Sequence, residues 1–131
     1  MTGMRIFVVD DEPDVVELFR QQFRRELRHG EWQLDFASSA DAAIAALPGQ
    51  SGVEGLLVLS DVNMPGMSGL DLLAELKARW PEISVVMVTA YGDSETERRA
   101  YALGALGFVQ KPIDFPALKT RLRALAAAEQ A

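Results

Sequence analysis

The sequence has few of the residues on which metal and nucleophilic sites often depend. It contains no cysteine, which excludes disulfides, thiolate metal sites, iron–sulfur clusters and a cysteine nucleophile. Its single histidine, His29, excludes a histidine-rich zinc site and offers no well-placed base for a catalytic triad. No apolar run approaches the ~20 residues that a membrane-spanning helix needs. The first residues lead directly into a strand-like segment, so we expect no signal peptide and a cytoplasmic location.

Positive charge is also scarce. Lys and Arg number 13 against 19 Asp and Glu, which gives a net charge of −6, so binding to nucleic acid through its phosphates is not expected. Apolar residues make up 49% and charged residues 24% of the 131 residues, as is usual for a soluble domain with its own core. We expect one domain over residues 1–131, with an ordered core of about residues 4–126 and a short alanine-rich tail that is either a frayed end or a cut linker.

Short β-branched runs alternate with amphipathic segments along the chain. The predicted strands are residues 5–9, 33–37, 56–59, 83–88 and 107–110. The predicted helices are residues 13–28, 38–47, 68–80, 94–104 and a last helix from residue 114. This alternation predicts an α/β fold, a doubly wound five-stranded parallel sheet of order 2-1-3-4-5 with five helices.

Polar residues predict where the helices begin. Ser38 and Ser68 are candidate N-caps, residues 94–97 (SETE) form a capping box, and Asp114 is placed to cap the last helix. The composition of residues 48–55 (PGQSGVEG) predicts a loop before the third strand.

Polar side chains follow four of the five predicted strands. Asp10 and Asp11 come after strand 1, Asp61 comes after strand 3, Thr89 ends strand 4 and Lys111 follows strand 5. The carboxyl ends of parallel strands share one edge of the sheet, and ligands bind there at the switch point between strands 1 and 3. We therefore expect these five side chains to converge.

Such a cluster is suited to phosphoryl transfer. Three neighbouring carboxylates repel one another, and their oxygens, together with a phosphate oxygen, are the ligands that Mg²⁺ prefers. The ammonium of Lys111 and the hydroxyl of Thr89 complete a clamp for a phosphoryl group. A carboxylate can act as the nucleophile and form an aspartyl phosphate. Asp61 is the best candidate, because strand 3 is central in the predicted sheet.

Four sequence motifs resemble those of response-regulator receiver domains, the CheY-like half of two-component signalling. The motifs occur in the family's order and extend over nearly the whole chain. They are residues 8–13 (VVDDEP), 60–69 (SDVNMPGMSG), 88–90 (VTA) and 107–112 (GFVQKP).

The resemblance implies a role for each polar residue. Asp61 would accept the phosphoryl group, and Lys111 would pair with it. Asp11, Asp61 and the backbone carbonyl of Asn63 would hold Mg²⁺, while Asp10 would do so directly or through water. Such a domain takes its phosphoryl group from a phosphohistidine or a small acyl phosphate and later loses it, and is otherwise not an enzyme.

The resemblance also implies a switch. Thr89 would turn its hydroxyl onto the phosphoryl group, and Phe108 would rotate inward, which remodels the face formed by predicted helix 4, strand 5 and helix 5. The Lys111–Pro112 bond would be cis, which an X–Pro bond adopts at low cost. The implied partners are a sensor histidine kinase or histidine phosphotransfer domain and a downstream effector. A homodimer on phosphorylation is also compatible with the family, and bacterial origin is implied.

Two other functions use similar residues. A phosphatase of the haloacid-dehalogenase type also combines an aspartate nucleophile, a hydroxyl, a lysine and an acidic pair around Mg²⁺. Its nucleophile follows the first strand in a D-x-D motif, whereas here the acidic pair comes first and Asn63 replaces the second aspartate. A scaffold that binds partners without phosphorylation needs none of the five polar residues, so their presence argues against it.

Single residues also have ordinary structural interpretations. Asp10 and Asp11 are compatible with a helix cap, Thr89 with a plain strand residue, Lys111 with a surface lysine and Phe108 with a core residue. Only their combination favours a phosphoryl-transfer site.

Arg20, Arg24 and Arg28 recur every four residues on the first helix, an unusual basic stripe on an acidic chain. The stripe indicates either a solvated helix face or a docking surface for a kinase or phosphotransfer domain.

Overall fold

The computed structural model describes residues 4–47, 56–90 and 92–130, with side chains placed as far as residue 125. The predicted loop at residues 48–55 lies outside these ranges. The strands are β1 (Met4–Val9), β2 (Trp32–Ala37), β3 (Leu56–Asp61), β4 (Ser84–Thr89) and β5 (Gly107–Gln110). The helices are α1 (Pro13–Gln22), α2 (Arg24–Arg28), α3 (Ala40–Ala46), α4 (Gly69–Arg79), α5 (Ser94–Ala102) and α6 (Phe115–Gln130).

The five strands form one parallel sheet in the order β2-β1-β3-β4-β5, as predicted. Every residue of the central strand β3 is buried, which explains its continuous run of apolar residues. In the register of the sheet, Val9 of β1 lies opposite Ser60, and Asp61 lies opposite Val88 of β4. The carboxyl ends of these strands therefore meet at the same edge of the sheet.

Helices cover both faces of the sheet, and each face has its own apolar core. Helices α3, α4 and α5 cover one face, where Leu72, Leu73 and Leu76 of α4 are completely buried. Helices α1, α2 and α6 cover the other face, where Phe19 and Phe23 are buried. No helix among the described residues has the length and apolar character needed to cross a membrane.

The predicted helix over residues 13–28 is in fact two helices, so the described chain has six helices rather than five. The break falls at Phe23, whose φ of −103° and ψ of 11° depart from helical geometry. Its buried ring contacts the rings of Phe19, Trp32 and Phe115, with centroids 5.5, 5.1 and 6.1 Å away. Periodicity does not reveal the break, because the spacing of apolar residues continues unchanged across it.

Two predicted helix caps are displaced by one residue. Ser39, not Ser38, accepts the hydrogen bond from the backbone N–H of the third residue on and caps α3. Asp93, not Ser94, caps α5 in the same way. In each case two neighbouring residues are able to cap, and the extended backbone of the actual cap residue decides between them.

The remaining predictions of helix ends concern the start of α4 and both ends of α6. Ser68 caps α4 and Asp114 caps α6, as predicted. The backbone of α6 is helical as far as Gln130, and the fraying of the end from Ala126 stays a prediction. Alanine has the highest helix propensity of all residues, which explains why the helix continues.

Candidate functional site

The carboxyl edge of the sheet brings three predicted acidic residues together. Asp10, Asp11 and Asp61 each offer a carboxylate oxygen, and these oxygens all lie within 4.8 Å of one another. Asp10 and Asp61 are each 6% exposed, whereas Asp11 is exposed to solvent. The three residues therefore form an acidic pocket with two buried walls and one side open to water.

Lys111 supplies the positive charge of the acidic pocket. Its Nζ lies 3.1 Å from Asp10 Oδ2, 3.3 Å from Asp61 Oδ2 and 3.5 Å from Glu12 Oε1. Its backbone N–H donates to the carbonyl of Thr89 at 2.7 Å. This bond continues the pairing of β4 and β5 past their ends, so the lysine is directed to the pocket by the sheet itself.

The environment of the pocket shifts the proton affinities of its two central groups. Burial raises the pKa of the Asp61 carboxyl, and the charge of Asp10 adds to this effect, although the Asn63 N–H at 3.2 Å and the ammonium of Lys111 oppose it. Burial by itself lowers the pKa of Lys111, but its hydrogen bond to Asp10 and the charges of Asp10 and Asp61 outweigh this, so the pKa lies above its usual range. Lys111 therefore stays protonated.

The two predicted switch residues lie beside the acidic pocket rather than in its acidic cluster. Thr89 ends β4, next to the strand that carries Asp61, and is 1% exposed. Phe108 is half-buried and packs against the core beneath α3, α4 and α5. Alternation along the strands places Thr89 on that same face of the sheet. The Lys111–Pro112 bond is cis, the geometry that the resemblance implies.

Two residues of the site were not assigned a role from the sequence. Glu12 is exposed and forms the outermost contact of Lys111. Gly69 begins α4, where its N–H donates to the Val62 carbonyl at 2.8 Å. A Cβ at Gly69 would lie 2.0 Å from the Asp61 carbonyl oxygen, so only glycine allows α4 to approach the strand so closely. The signal available in the sequence was a glycine directly after the cap Ser68.

Comparison with known proteins agrees with this geometry. The family model for the response regulator receiver domain matches residues 6–123. The chain belongs to this family. This membership decides against the haloacid-dehalogenase alternative, because receiver domains of response regulators are signalling switches and not classical enzymes.

Curated relatives of this receiver domain are longer proteins. The response regulator protein PilR of Pseudomonas aeruginosa is 36% identical over 120 residues, which cover 91% of this chain and 25% of PilR. The probable transcriptional regulatory protein TcrX of Mycobacterium tuberculosis is 34% identical over 120 residues, which cover 92% of this chain and 48% of TcrX. The receiver domain thus spans between a quarter and a half of these two relatives.

Solved structures show the same fold. A CheY-like receiver domain protein of Methanospirillum hungatei has a TM-score of 0.85 at 22% identity, with 98% of each chain covered. The response regulator TrrA of Thermotoga maritima has a TM-score of 0.75 at 30% identity, with 93% of this chain and 98% of that chain covered. The TrrA structure is a complex with Mg²⁺ and a beryllium fluoride group.

The acidic pocket fits a magnesium ion. Receiver domains bind Mg²⁺ at an acidic pocket, and here three carboxylates offer oxygens within 4.8 Å of one another, on a pocket open to water. Hard oxygen ligands with room for water are the donor set that Mg²⁺ prefers. Family membership also implies phosphorylation-dependent two-component signalling.

Proposed function

We propose that this receiver domain accepts a phosphoryl group on Asp61 from a histidine kinase or a histidine phosphotransfer domain, and that the modified carboxylate then alters the face formed by α5, β5 and α6. The observation that carries the proposal is the position of the Asp61 carboxylate. It lies 3.3 Å from the Lys111 ammonium and in one cluster with Asp10 and Asp11. A phosphoryl group on Asp61 would therefore lie within reach of the Lys111 ammonium.

The residues that would hold Mg²⁺ are Asp10, Asp11 and Asp61, with the backbone carbonyl of Asn63. When bound, the ion offsets the repulsion between the carboxylates and stabilises negative charge on the phosphoryl oxygens. Asp10 and Asp61 are buried and Asp11 is exposed, so the open side of the pocket has room for the waters that Mg²⁺ retains.

The transfer forms one bond and breaks one bond. An ionised oxygen of Asp61 attacks phosphorus, while the bond between phosphorus and the donor imidazole nitrogen breaks and its electron pair stays on that nitrogen. Lys111 holds a phosphoryl oxygen through its ammonium, which the neighbouring carboxylates keep protonated. The chain therefore contributes the nucleophile, its position and the charge stabilisation.

Labelling with acetyl phosphate tests the acceptor. In the presence of Mg²⁺ we expect wild-type protein to gain one phosphoryl group by intact mass spectrometry, and Asp61→Asn to gain none. Asp41→Asn is the matched control, since Asp41 is exposed on α3, and it should be labelled like wild type. Absence of labelling in the wild type would favour a scaffold that works without phosphorylation.

The switch proposal depends on Thr89 and Phe108. A phosphoryl group on Asp61 draws the Thr89 hydroxyl towards it, and the space released lets the half-buried Phe108 ring rotate inward on the same face of the sheet. The phosphoryl group carries about −1.5 to −2 units of charge where the carboxylate carried −1, and its oxygens accept hydrogen bonds, which supplies the driving force. Structures with and without beryllium fluoride and Mg²⁺ should differ in the Phe108 rotamer. An unchanged rotamer would contradict the switch and leave the acceptor proposal intact.

We also propose a cytoplasmic location and a downstream effector, either on the same chain or on another protein. The greater length of PilR and TcrX supports the effector. Co-purification of the receiver domain with its kinase and effector from the native cell would identify both partners.

A further inference from the structure

The basic stripe predicted on the first helix is rearranged in the structure. Arg20 contacts Glu17 at 3.7 Å and lies over the ring of Phe36, 5.3 Å from its centroid, so it is occupied elsewhere. The break before α2 separates it from Arg24 and Arg28, which lie on the short helix that follows. The stripe is therefore not one continuous face.

Arginines of α2 instead line a cavity of about 580 Å³, which we call the basic cavity. Its volume is within the range of ~300–1,000 Å³ that is usual for small-ligand sites. Gln21 and Gln22 at the end of α1 contribute amide groups to the lining. The basic side chains that line it are Arg24, Arg25, Arg28, His29 and Lys119.

Three guanidinium groups of the basic cavity are available to a ligand. Arg24, Arg25 and Arg28 are exposed and form no ion pair with any other residue in the described ranges. Lys119 is different, because its Nζ lies 3.2 Å from a carboxylate oxygen of the buried Glu26, so its charge is largely balanced. Three unbalanced cations so close together repel one another, and a bound polyanion would relieve that repulsion.

The basic cavity is separate from the acidic pocket. Helix α1 begins at Pro13, directly after the residues of the acidic pocket, and its ten residues extend for about 15 Å. The cavity lies at the far end of α1, at the edge of the sheet where the strands begin. A ligand there would not contact Asp61.

The lining of the basic cavity indicates the class of ligand. Every described side chain that lines it is polar or charged, whereas protein interfaces usually depend on buried aromatic and apolar anchors. Guanidinium groups bind phosphate oxygens in pairs, with a fixed geometry. Three guanidinium groups offer more donors than a single phosphate can use, so they suit an anion with two or more adjacent phosphate groups better. The net charge of −6 disfavours non-specific attraction of such an anion.

We propose that the basic cavity binds a small soluble ligand that carries at least two linked phosphate groups. The probe is inorganic tripolyphosphate, titrated into the complete chain by calorimetry in Mg²⁺-free buffer. We expect saturable binding of one tripolyphosphate, and an affinity for orthophosphate at least about tenfold weaker, equivalent to ~1.4 kcal/mol.

Matched variants localise the binding. Arg24→Gln combined with Arg28→Gln removes two cavity cations and should weaken tripolyphosphate binding at least about tenfold. Arg20→Gln combined with Arg79→Gln removes the same charge from outside the cavity, where both arginines are paired with glutamates. This control should change the affinity less than about twofold. Lys111→Met should leave the binding unchanged, because the acidic pocket takes no part.

Several results would overturn the proposal. One is that tripolyphosphate does not bind the wild-type protein saturably. Another is that both double variants lose tripolyphosphate affinity equally, and a third is that Lys111→Met loses it. Co-sedimentation with phosphatidylserine vesicles without any binding of tripolyphosphate would also overturn it, because the cavity would then serve a membrane surface. All substituted arginines are exposed, and circular dichroism of each variant should show the wild-type fold.

Discussion

At the scale of single residues, Asp61 combines a functional position with a cost in stability. Burial raises the pKa of its carboxyl above the ordinary value of 3.8 that an exposed aspartate has in the unfolded chain. Between the unfolded-state pKa and the higher folded-state pKa of Asp61, the folded chain binds more protons than the unfolded chain. The free energy of unfolding therefore falls as the pH rises through this window. At neutral pH the ionised carboxylate therefore destabilises the folded state.

Replacement of Asp61 should reveal this cost. In Mg²⁺-free buffer at neutral pH we expect Asp61→Asn to unfold at a higher urea concentration than wild type, because an amide pays less for burial than a carboxylate. The difference should shrink as the pH falls to 3.8, because the pKa of the Asp61 carboxyl in the folded state lies above that value. Asp41→Asn, at an exposed position, should unfold like wild type. An Asp61→Asn midpoint at or below that of wild type at neutral pH would contradict the argument.

Gly69 allows a second test at the same scale. In most helices Gly→Ala stabilises by about 0.5–1 kcal/mol, but here the new Cβ would meet the Asp61 carbonyl oxygen at 2.0 Å. We expect Gly69→Ala to lower the free energy of unfolding by about 1–3 kcal/mol, the usual cost of overpacking, and to slow labelling by acetyl phosphate. Urea unfolding measures the first effect. A variant more stable than wild type would show that α4 can shift without cost.

At the scale of elements, α2 is attached to α6 through one buried carboxylate. Glu26 of α2 is 4% exposed, and its Oε2 lies 3.2 Å from both Lys119 Nζ and Arg123 Nη2. Arg123 also contacts Glu31 at 2.8 Å and lies 5.0 Å from the ring centroid of Trp32. The segment from α2 to the start of β2 is thus held against α6 by charge as well as by the aromatic core.

Glu26 should therefore matter more than a surface glutamate. Burial raises its pKa, but its own backbone N–H and the charges of Lys119 and Arg123 outweigh this and lower it below 4.5. The resulting stability is present above the unfolded pKa and is lost as the pH falls through the folded pKa.

We expect Glu26→Gln to destabilise the protein at neutral pH by about 1–3 kcal/mol, and the effect to diminish at pH values below 4.5. Glu17→Gln is the control, since the Glu17 side chain is 68% exposed and its ion pair spans 3.7 Å. It should change stability by less than about 0.5 kcal/mol. Urea unfolding at several pH values compares the two variants, and equal effects would show that the buried ion pair has no special role.

At the scale of the whole molecule, the parallel sheet separates the acidic pocket from both tryptophans. Trp32 begins β2 and is 2% exposed, and Trp80 follows the end of α4. Both therefore lie towards the edge where the strands begin, across the sheet from Asp61.

Magnesium should accordingly stabilise the protein with little change in tryptophan fluorescence. At a free Mg²⁺ concentration a hundred times its dissociation constant, binding to the folded state alone adds about 2.7 kcal/mol, which thermal unfolding will detect. An Ala90→Trp variant places a tryptophan at an exposed position directly after Thr89, and its fluorescence should respond to Mg²⁺. A large fluorescence response in the wild type would mean that Mg²⁺ binding changes the edge of the sheet where the strands begin.

The agreement between sequence and structure is closest where local pattern decides. The cap residues Ser68 and Asp114 follow from residue type at the helix starts. The strand order, and with it the approach of Asp10 to Lys111 across 101 positions, follows from the alternation of strands and helices, for which a doubly wound sheet is the common arrangement. The errors at Phe23, Ser38 and Ser94 arise where two neighbouring residues, or a continued apolar spacing, permit more than one local answer.

The sequence by itself determined the order of strands, the residues at their carboxyl ends and the family to which those residues point, because these depend on residue type and spacing. Only the tertiary structure decided the burial of Asp61 and Glu26, the need for glycine at position 69 and the grouping of Arg24, Arg25 and Arg28 around one cavity. These features depend on how closely segments far apart in the chain approach one another, and neither composition nor periodicity contains that distance.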